Sequence, residues 1–362
     1  MKNFKIYLGL LLFSLTFQSC FQQKPQISQT AREIWPVEKA NEWYAKWGWL
    51  RGSDFIPSTA INQLEMWQAD TFDPATIDKE LGWAEGIGMN SMRVYLHHLA
   101  WQQDREGFKK RVSNYLDIAE KHKISTMFVF FDDCWNPTYK AGKQPEPKPG
   151  IHNSGWVRDP GDLLFSDSTL TDTLEVYVKD ILNTFKEDKR IVLWDLYNEP
   201  GNSGYGNKSM PLLKKVFEWA RTVNPSQPLS VGVWNLSLKE LTDYQIKNSD
   251  ITTYHNYGDV KDHQKWIDTL RSVSKRPLIC TEYMARSRNS LFSNIMPLLK
   301  QENIGAYNWG LVAGKSNTIY AWDMPIKDGK EPRLWFHDIF YKDGRPYKQS
   351  EIDSIKMLTG RK

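Results

Sequence analysis

From about residue 40 the chain alternates short apolar runs with amphipathic stripes. Asp73-Pro74 reads as a helix start, with the aspartate as cap and the proline in the first turn. Ile77, Leu81 and Ala84 follow at helical spacing, Gly86 and Gly88 end the helix, and Ser91 to His97 reads as a strand. A stripe of Phe108, Val112, Tyr115, Leu116 and Ala119 leads into Ile124 to Phe131, an almost unbroken apolar run. Strands covered on both faces look like this, which points to a parallel sheet under helices. The rhythm repeats with strands expected at Ile191 to Tyr197, Pro228 to Val233, Asp250 to Tyr254, Pro277 to Thr281 and Gly305 to Trp309. Helical stripes around Leu174, Leu212, Trp266, Leu291 and Ile355 separate or follow most of them. With Trp47 to Gly52 as the first, the strands number eight.

Eight βα units without a break in composition predict a single (β/α)8 barrel of the α/β class with long loops. A doubly wound sheet is the rival, but no G-x-G-x-x-G follows the first strand. In a barrel the site lies where strands run into the following helices. Those positions hold Asp54, His97, His98, Trp101, Asp132, Asp133, Trp135, Asn198, Glu199, Trp234, His255, Tyr257, Glu282 and Trp309. The opposite strand ends are small or merely solvating, as at Gly88 or Lys123. The long loop Cys134 to Asp167, the loop Ser53 to Thr71 with Trp67, and the segment Gly310 to Trp335 with Trp322 are expected to wall the cleft into a pocket. His152, His263 and His337 are expected on the surface.

The N-terminus departs from this pattern. A short basic start precedes the apolar stretch Ile6 to Phe17, too short to span a bilayer. It ends at Ser19-Cys20, which resembles a bacterial lipoprotein signal in which Cys20 is lipidated; a plain secretory signal is the alternative. The expected organisation is a signal over 1–20, a polar tether over 21–40 and the catalytic barrel over 41–362. That implies an exported protein of the cell envelope, touching the membrane through its lipid anchor alone.

Composition narrows the function. There are 47 Lys+Arg and 43 Asp+Glu in 362 residues, a net charge of +4, with no basic run to hold a nucleic acid. Apart from Cys20 there are two cysteines, Cys134 and Cys280, both in strand-like stretches and expected as free thiols. Sixteen tryptophans are an excess that suits either a large core or a cleft that stacks on sugar rings.

The most specific string is Leu193-Trp-Asp-Leu-Tyr-Asn198-Glu199-Pro200, which delivers an Asn-Glu pair to the mouth of the fourth strand. Pro277-Leu-Ile-Cys-Thr-Glu282-Tyr283 delivers a second glutamate to the mouth of the seventh. Two facing carboxyl groups are the chemistry of glycoside hydrolysis, one giving a proton to the leaving oxygen and the other attacking the sugar carbon. The first is expected to stay protonated near neutral pH through burial, the second to stay ionised beside an arginine. Adjacent Asp132 and Asp133 lack a convergent histidine, so neither a metal nor another cofactor is expected.

These motifs resemble the retaining (β/α)8 glycosidases of clan A, with glycoside hydrolase family 5 and the catalytic barrel of family 2 as nearest relatives, over roughly residues 45 to 350. The resemblance implies Glu199 as acid/base and Glu282 as nucleophile. It further implies that Asn198 holds a sugar hydroxyl, Arg93 steadies the nucleophile, His255 and Tyr257 contact nucleophile and sugar, and Trp309 is a stacking platform. His97 or His98 would add a sugar contact, and Trp135 belongs to the substrate-binding set. Arg93 could equally be an ion pair with Asp195. The β-sandwich domains usual before a family 2 barrel have no counterpart here, and Thr281 and Tyr283 differ from family 5 cellulases, which leaves the sugar open. The partner is a β-linked glycan or oligosaccharide. An inactive carbohydrate-binding barrel and a transglycosidase using the same glutamates are the alternatives.

Overall fold

The computed structural model describes residues 1–2 and 31–362. Signal, Cys20 and the first part of the tether fall outside the described residues. In the unit Ala31–Lys362, eight parallel strands form the sheet: β1 Arg51–Asp54, β2 Ser91–Tyr95, β3 Ser125–Asp132, β4 Ile191–Asn198, β5 Leu229–Ser230, β6 Thr252–His255, β7 Leu278–Tyr283 and β8 Gly305–Trp309. Their order is β5-β4-β3-β2-β1-β8-β7-β6. β5 and β6 share no ladder, but a single parallel bridge between Val233 and Tyr254 spans the gap. The expected barrel is therefore present and nearly closed, and no described helix is long and apolar enough to cross a membrane.

β3 and β4 are buried along their whole length, because one face meets the barrel interior and the other meets helices such as Leu170–Phe185 and Met210–Val223. The helix Pro74–Gly86 starts where the sequence places it, with the Asp73 side chain accepting from the Thr76 amide. Among the helices of ten or more residues, two escape the sequence reading. Lys239–Asn248 lies between β5 and β6; its stripe is short, with only Leu241, Thr242 and Gln245 buried. Val37–Trp47 runs through the end of the expected tether and the start of the expected first strand.

That second helix changes the domain boundary. It lays Ala40 and Tyr44 against Leu50, Met127, Val192, Leu193, Ile251, Ile279 and Tyr307, closing the interior away from the catalytic mouth. Ahead of it, Arg32 pairs with Asp250 at 2.6 Å and the Trp35 amide donates to the same carboxylate at 2.8 Å. Residues 31–40 thus pack on the barrel and do not belong to a tether.

Candidate active site

Every strand of the barrel points its C-terminal end the same way, so the residues that follow converge on one mouth. There a cleft of about 730 Å³ is lined by Asp132, Cys134, Trp135, Asn198, Glu199, Trp234, His255, Tyr257, Glu282, Trp309 and Trp322, among others. Glu199 follows β4 in a left-handed backbone conformation, φ 45°, which non-glycine residues adopt at a cost of about 1 kcal/mol. Glu282 is the fifth residue of β7. One carboxylate oxygen of each, together with a ring nitrogen of His255, lies within 4.8 Å of the others.

The two carboxylates sit in unlike surroundings. Glu282 Oε1 accepts from Arg93 Nη1 at 2.8 Å and from the Tyr95 hydroxyl at 3.0 Å. Its Oε2 accepts from the Tyr257 hydroxyl at 2.7 Å. Arg93 is fully buried and is both things the sequence allowed: it holds Glu282, and it pairs with Asp195 at 2.8 Å and Asp54 at 2.7 Å while donating to Asn198 Oδ1 at 2.7 Å. Burial opposes its charge, but Tyr95, Asp195, Asp54 and Glu282 outweigh burial, so the guanidinium is held well above its ordinary value.

Glu199 meets weaker cations and more water. Its Oε1 lies 2.7 Å from His255 Nδ1, and its Oε2 accepts from Asn202 Nδ2 and from Cys134 Sγ, the latter at 3.3 Å. Burial would raise its carboxyl, yet the hydrogen bond and charge of His255, with Cys134 and Asn202, hold it below the ordinary value. The expectation of a carboxyl protonated near neutrality is thus reversed in the free site: the neighbours are donors, and donors favour the ionised form. Asp132, in contrast, is pushed up to about 7 by burial, against the donors Asn198 and Trp156.

Of the residues singled out from the sequence, Glu199, Glu282, Asn198, Trp135, His255, Tyr257 and Trp309 line this one cleft, and Arg93 reaches it through Glu282. Trp309 packs edge-on against Tyr95 and Trp156, with ring centroids 5.8 and 5.4 Å away. His97 and His98 do not belong. Both are buried and their nitrogens are occupied: His97 by Arg158 O and the Leu99 amide, His98 by Asp159 and Tyr139. Neither has a nitrogen left for a sugar, and burial lowers His97 to about 4. With Asp159 they form one of two described clusters whose ligand atoms could surround a metal ion, the other being Glu199, His255 and Glu282.

Further corrections concern the walls. Trp67 is a core residue whose indole N–H donates to Tyr95 O at 2.7 Å, and Trp101 is likewise buried, bonded to Asp180. Trp266, by its sequence a core residue, lines the cleft instead. His152, His263 and His337 are all buried, and His152 and His337 stand in the cleft wall beside Trp322. The loops after β3 and β8 do supply walls. Cys134 and Cys280 are free thiols, as expected, the first half-buried.

Tyr95, Asn202 and Cys134 are functional neighbours that the sequence reading did not place in the site. Tyr95 carried a usable signal: it lies two residues beyond Arg93, and alternate strand residues share a face.

A family model described as glycosyl hydrolases family 2, TIM barrel domain, matches residues 163–312, the part that runs from before β4 to just past β8. No curated protein matches. Among solved structures, a GH5_18 protein from Streptomyces cattleya in complex with GlcNAc is 11% identical, with TM-score 0.57, over 87% of this chain and 80% of that one. An endo-β-1,4-mannanase from Thermotoga petrophila is 14% identical, with TM-score 0.54, over 88% and 77%. An exo-β-1,4-mannosidase from Opitutaceae bacterium strain TAV5 is 16% identical, with TM-score 0.60, over 86% of this chain and 60% of that one. At these identities the structures share a fold with the chain. With the family model over residues 163–312 and a (β/α)8 barrel around it, the chain is similar to the glycoside hydrolases of clan A in that segment and in its fold.

Proposed function

We propose that the chain is a retaining β-glycosidase in which Glu282 is the nucleophile and Glu199 the general acid/base. The observation that carries this reading is the approach of the two carboxylates, with oxygens within 4.8 Å. Retaining enzymes hold the groups about 5–5.5 Å apart, and inverting enzymes need about 6.5–9.5 Å to admit a water.

Glu282 attacks the anomeric carbon while Glu199 gives a proton to the leaving oxygen. Arg93, Tyr95 and Tyr257 donate to both oxygens of Glu282 and aim it. The Glu199 side chain is 13% exposed, and a bound glycan removes that remaining water. The added burial shifts Glu199 toward the protonated form that the first step requires. After departure of the aglycone, Glu199 as base draws a proton from water, which opens the ester on Glu282. Asn198 Nδ2 donates one hydrogen to Asp132 at 2.9 Å and directs the other at Cys134 Sγ at 3.4 Å. The second contact is weak enough to be exchanged for a sugar hydroxyl.

The substrate is a β-linked oligo- or polysaccharide. Mannosidic bonds head the test, since the solved structures that share the fold include mannanases and a mannosidase. The test is hydrolysis of an aryl β-glycoside panel by wild type and Glu282→Ala, with NMR of the first-formed sugar. A β-anomer formed first, and loss of turnover in the variant, support the reading; an α-anomer formed first sinks it. Binding without turnover across the panel would make the chain a carbohydrate-binding barrel, and products extended by an added acceptor sugar would make it a transglycosidase. We also propose display on a bacterial envelope through lipid on Cys20. Labelling with a radioactive fatty acid that persists in Cys20→Ser would refute it.

A further inference from the structure

Cys134 is the third residue of the loop-side sequence Asp132-Asp133-Cys134-Trp135, where β3 opens into the cleft. Its backbone is pinned, since its amide donates to Asp132 Oδ1 at 2.8 Å. The next residue, Trp135, is left-handed at φ 70°, which turns the chain away and leaves the thiol facing inward. The sulfur stands between the two residues of the Asn198-Glu199 pair, 3.4 Å from Asn198 Nδ2 and 3.3 Å from Glu199 Oε2. It completes a ring of contacts: Arg93 to Asn198, Asn198 to Cys134, Cys134 to Glu199, Glu199 to His255, His255 to Glu282 at 3.6 Å, and Glu282 back to Arg93.

We propose that Cys134 is a positioning residue for the acid/base: its thiol donates to Glu199 Oε2, fixes the rotation of that carboxyl group and sets the pH at which it gives up its proton. The proposal rests on the reading of Glu199 as acid/base. The chemistry of the donor follows from its surroundings. Burial, with Asp132, Glu199 and Glu282 nearby, pushes the thiol well above its ordinary value, so the sulfur keeps its hydrogen and has a carboxylate oxygen to give it to. Asn202 occupies the same Oε2 from the loop after β4, and His255 holds Oε1. With all three donors in place the carboxyl plane cannot swing.

The charged and titratable groups around this carboxyl come from β2 (Arg93), β3 (Asp132 and Cys134), β6 with the residues just after it (His255 and Tyr257) and β7 (Glu282). None of the others changes identity in a Cys134 variant. Donation to an ionised carboxylate stabilises the ionised form. Removing it raises the affinity of Glu199 for its proton, so the acid form persists to higher pH.

The experiment is the pH dependence of kcat/KM for wild type, Cys134→Ser and Cys134→Ala. It is run on a glycoside with a poor alkyl leaving group and on one with an activated aryl leaving group. In Cys134→Ala the alkaline limb is expected about half a pH unit higher. Cys134→Ser, whose hydroxyl is the stronger donor, is expected below the wild-type limb. The loss in rate is expected to be larger for the alkyl glycoside, whose departure depends on the acid. A purely structural role would lower both substrates alike and leave the limb in place. Coincident alkaline limbs in the three proteins, or equal losses on the two substrates, overturn the proposal. If Cys134→Ala fails to fold, Cys134→Ser alone decides, since an unmoved limb and unchanged substrate ratio also overturn it. Wild type without activity on either substrate counts against the glycosidase reading instead.

Discussion

The hydroxyl of Tyr257 donates to Oε2 of Glu282 at 2.7 Å, two residues beyond the strand that carries His255. Glu282 is buried and Tyr257 half-buried, and burial with the Glu282 charge pushes the Tyr257 hydroxyl well above its ordinary value, so it remains a donor. In Tyr257→Phe, Glu282, the proposed nucleophile, loses one of its three donors. A fall in kcat/KM of about 100- to 1,000-fold is expected, the range for one pre-aimed donor. Steady-state kinetics check it, and an unchanged kcat/KM would contradict the assignment.

His255 controls the other carboxyl. On the proposed reading Glu199 must carry a proton in the first step, so activity is expected to decline as pH rises through its pKa. Hydrogen bonding and charge from His255 hold that pKa low. In His255→Gln the charge is gone, and the alkaline limb of kcat/KM is expected to move to higher pH while the maximum rate falls. A limb that moves to lower pH would contradict this electrostatic assignment.

Trp322 stands 5.0 Å centroid to centroid from Tyr257 and 4.5 Å from Phe336, forming the wall contributed by the loop after β8. It touches neither glutamate. Trp322→Ala is expected to raise KM about 10-fold, roughly 1.4 kcal/mol of lost stacking area, with kcat changed little. Kinetics on oligosaccharides of increasing length check this, and a change confined to kcat would contradict it.

Glu80 lies outside the site, fully buried on the helix Pro74–Gly86, with both oxygens on the Ser58 amide at 3.1 and 3.3 Å. Burial raises its carboxyl to about 7 from 4.5. A raised carboxyl means the folded state holds a proton that the unfolded chain has released. Stability from this group is therefore present below about 4.5 and lost as pH climbs through about 7, to a limit of about 3 kcal/mol. Glu80→Gln is expected to melt near wild type at pH 5 and higher than wild type at pH 8. Thermal unfolding at the two pH values decides it.

Much of the site was legible because barrel geometry turns a one-dimensional fact into a three-dimensional one. A residue that follows a buried strand must stand at the mouth, so Asn198, Glu199, His255, Tyr257, Glu282 and Trp309 could be placed from strand ends alone. The same rule misplaced His97 and His98. They also follow a strand, but Arg158 and Asp159 come back beside the end of β3, Arg158 O meeting a nitrogen of His97 and Asp159 one of His98, and no local pattern announces a partner 61 residues away. Trp67 and His337 failed in opposite directions for one reason: burial of a loop residue is set by what folds over it. The helix Val37–Trp47 was hidden because half its surface faces solvent, and its apolar contacts lie on four different strands and just ahead of two more.

The sequence by itself determined the architecture and the identity of the two carboxylates. Period, strand ends and the Asn-Glu and Thr-Glu strings are local, and local order survives in a linear reading. Only the tertiary structure decided the electrostatics. Whether Arg93 serves Asp195 or Glu282 had no answer in the sequence, and it serves both because its guanidinium has five donors in one plane. Glu199 was expected to hold its proton because it would be buried. It is held low in the free site because folding brings His255, Asn202 and Cys134 onto its oxygens, and the balance between burial and donors depends on distances that exist only once the barrel has closed.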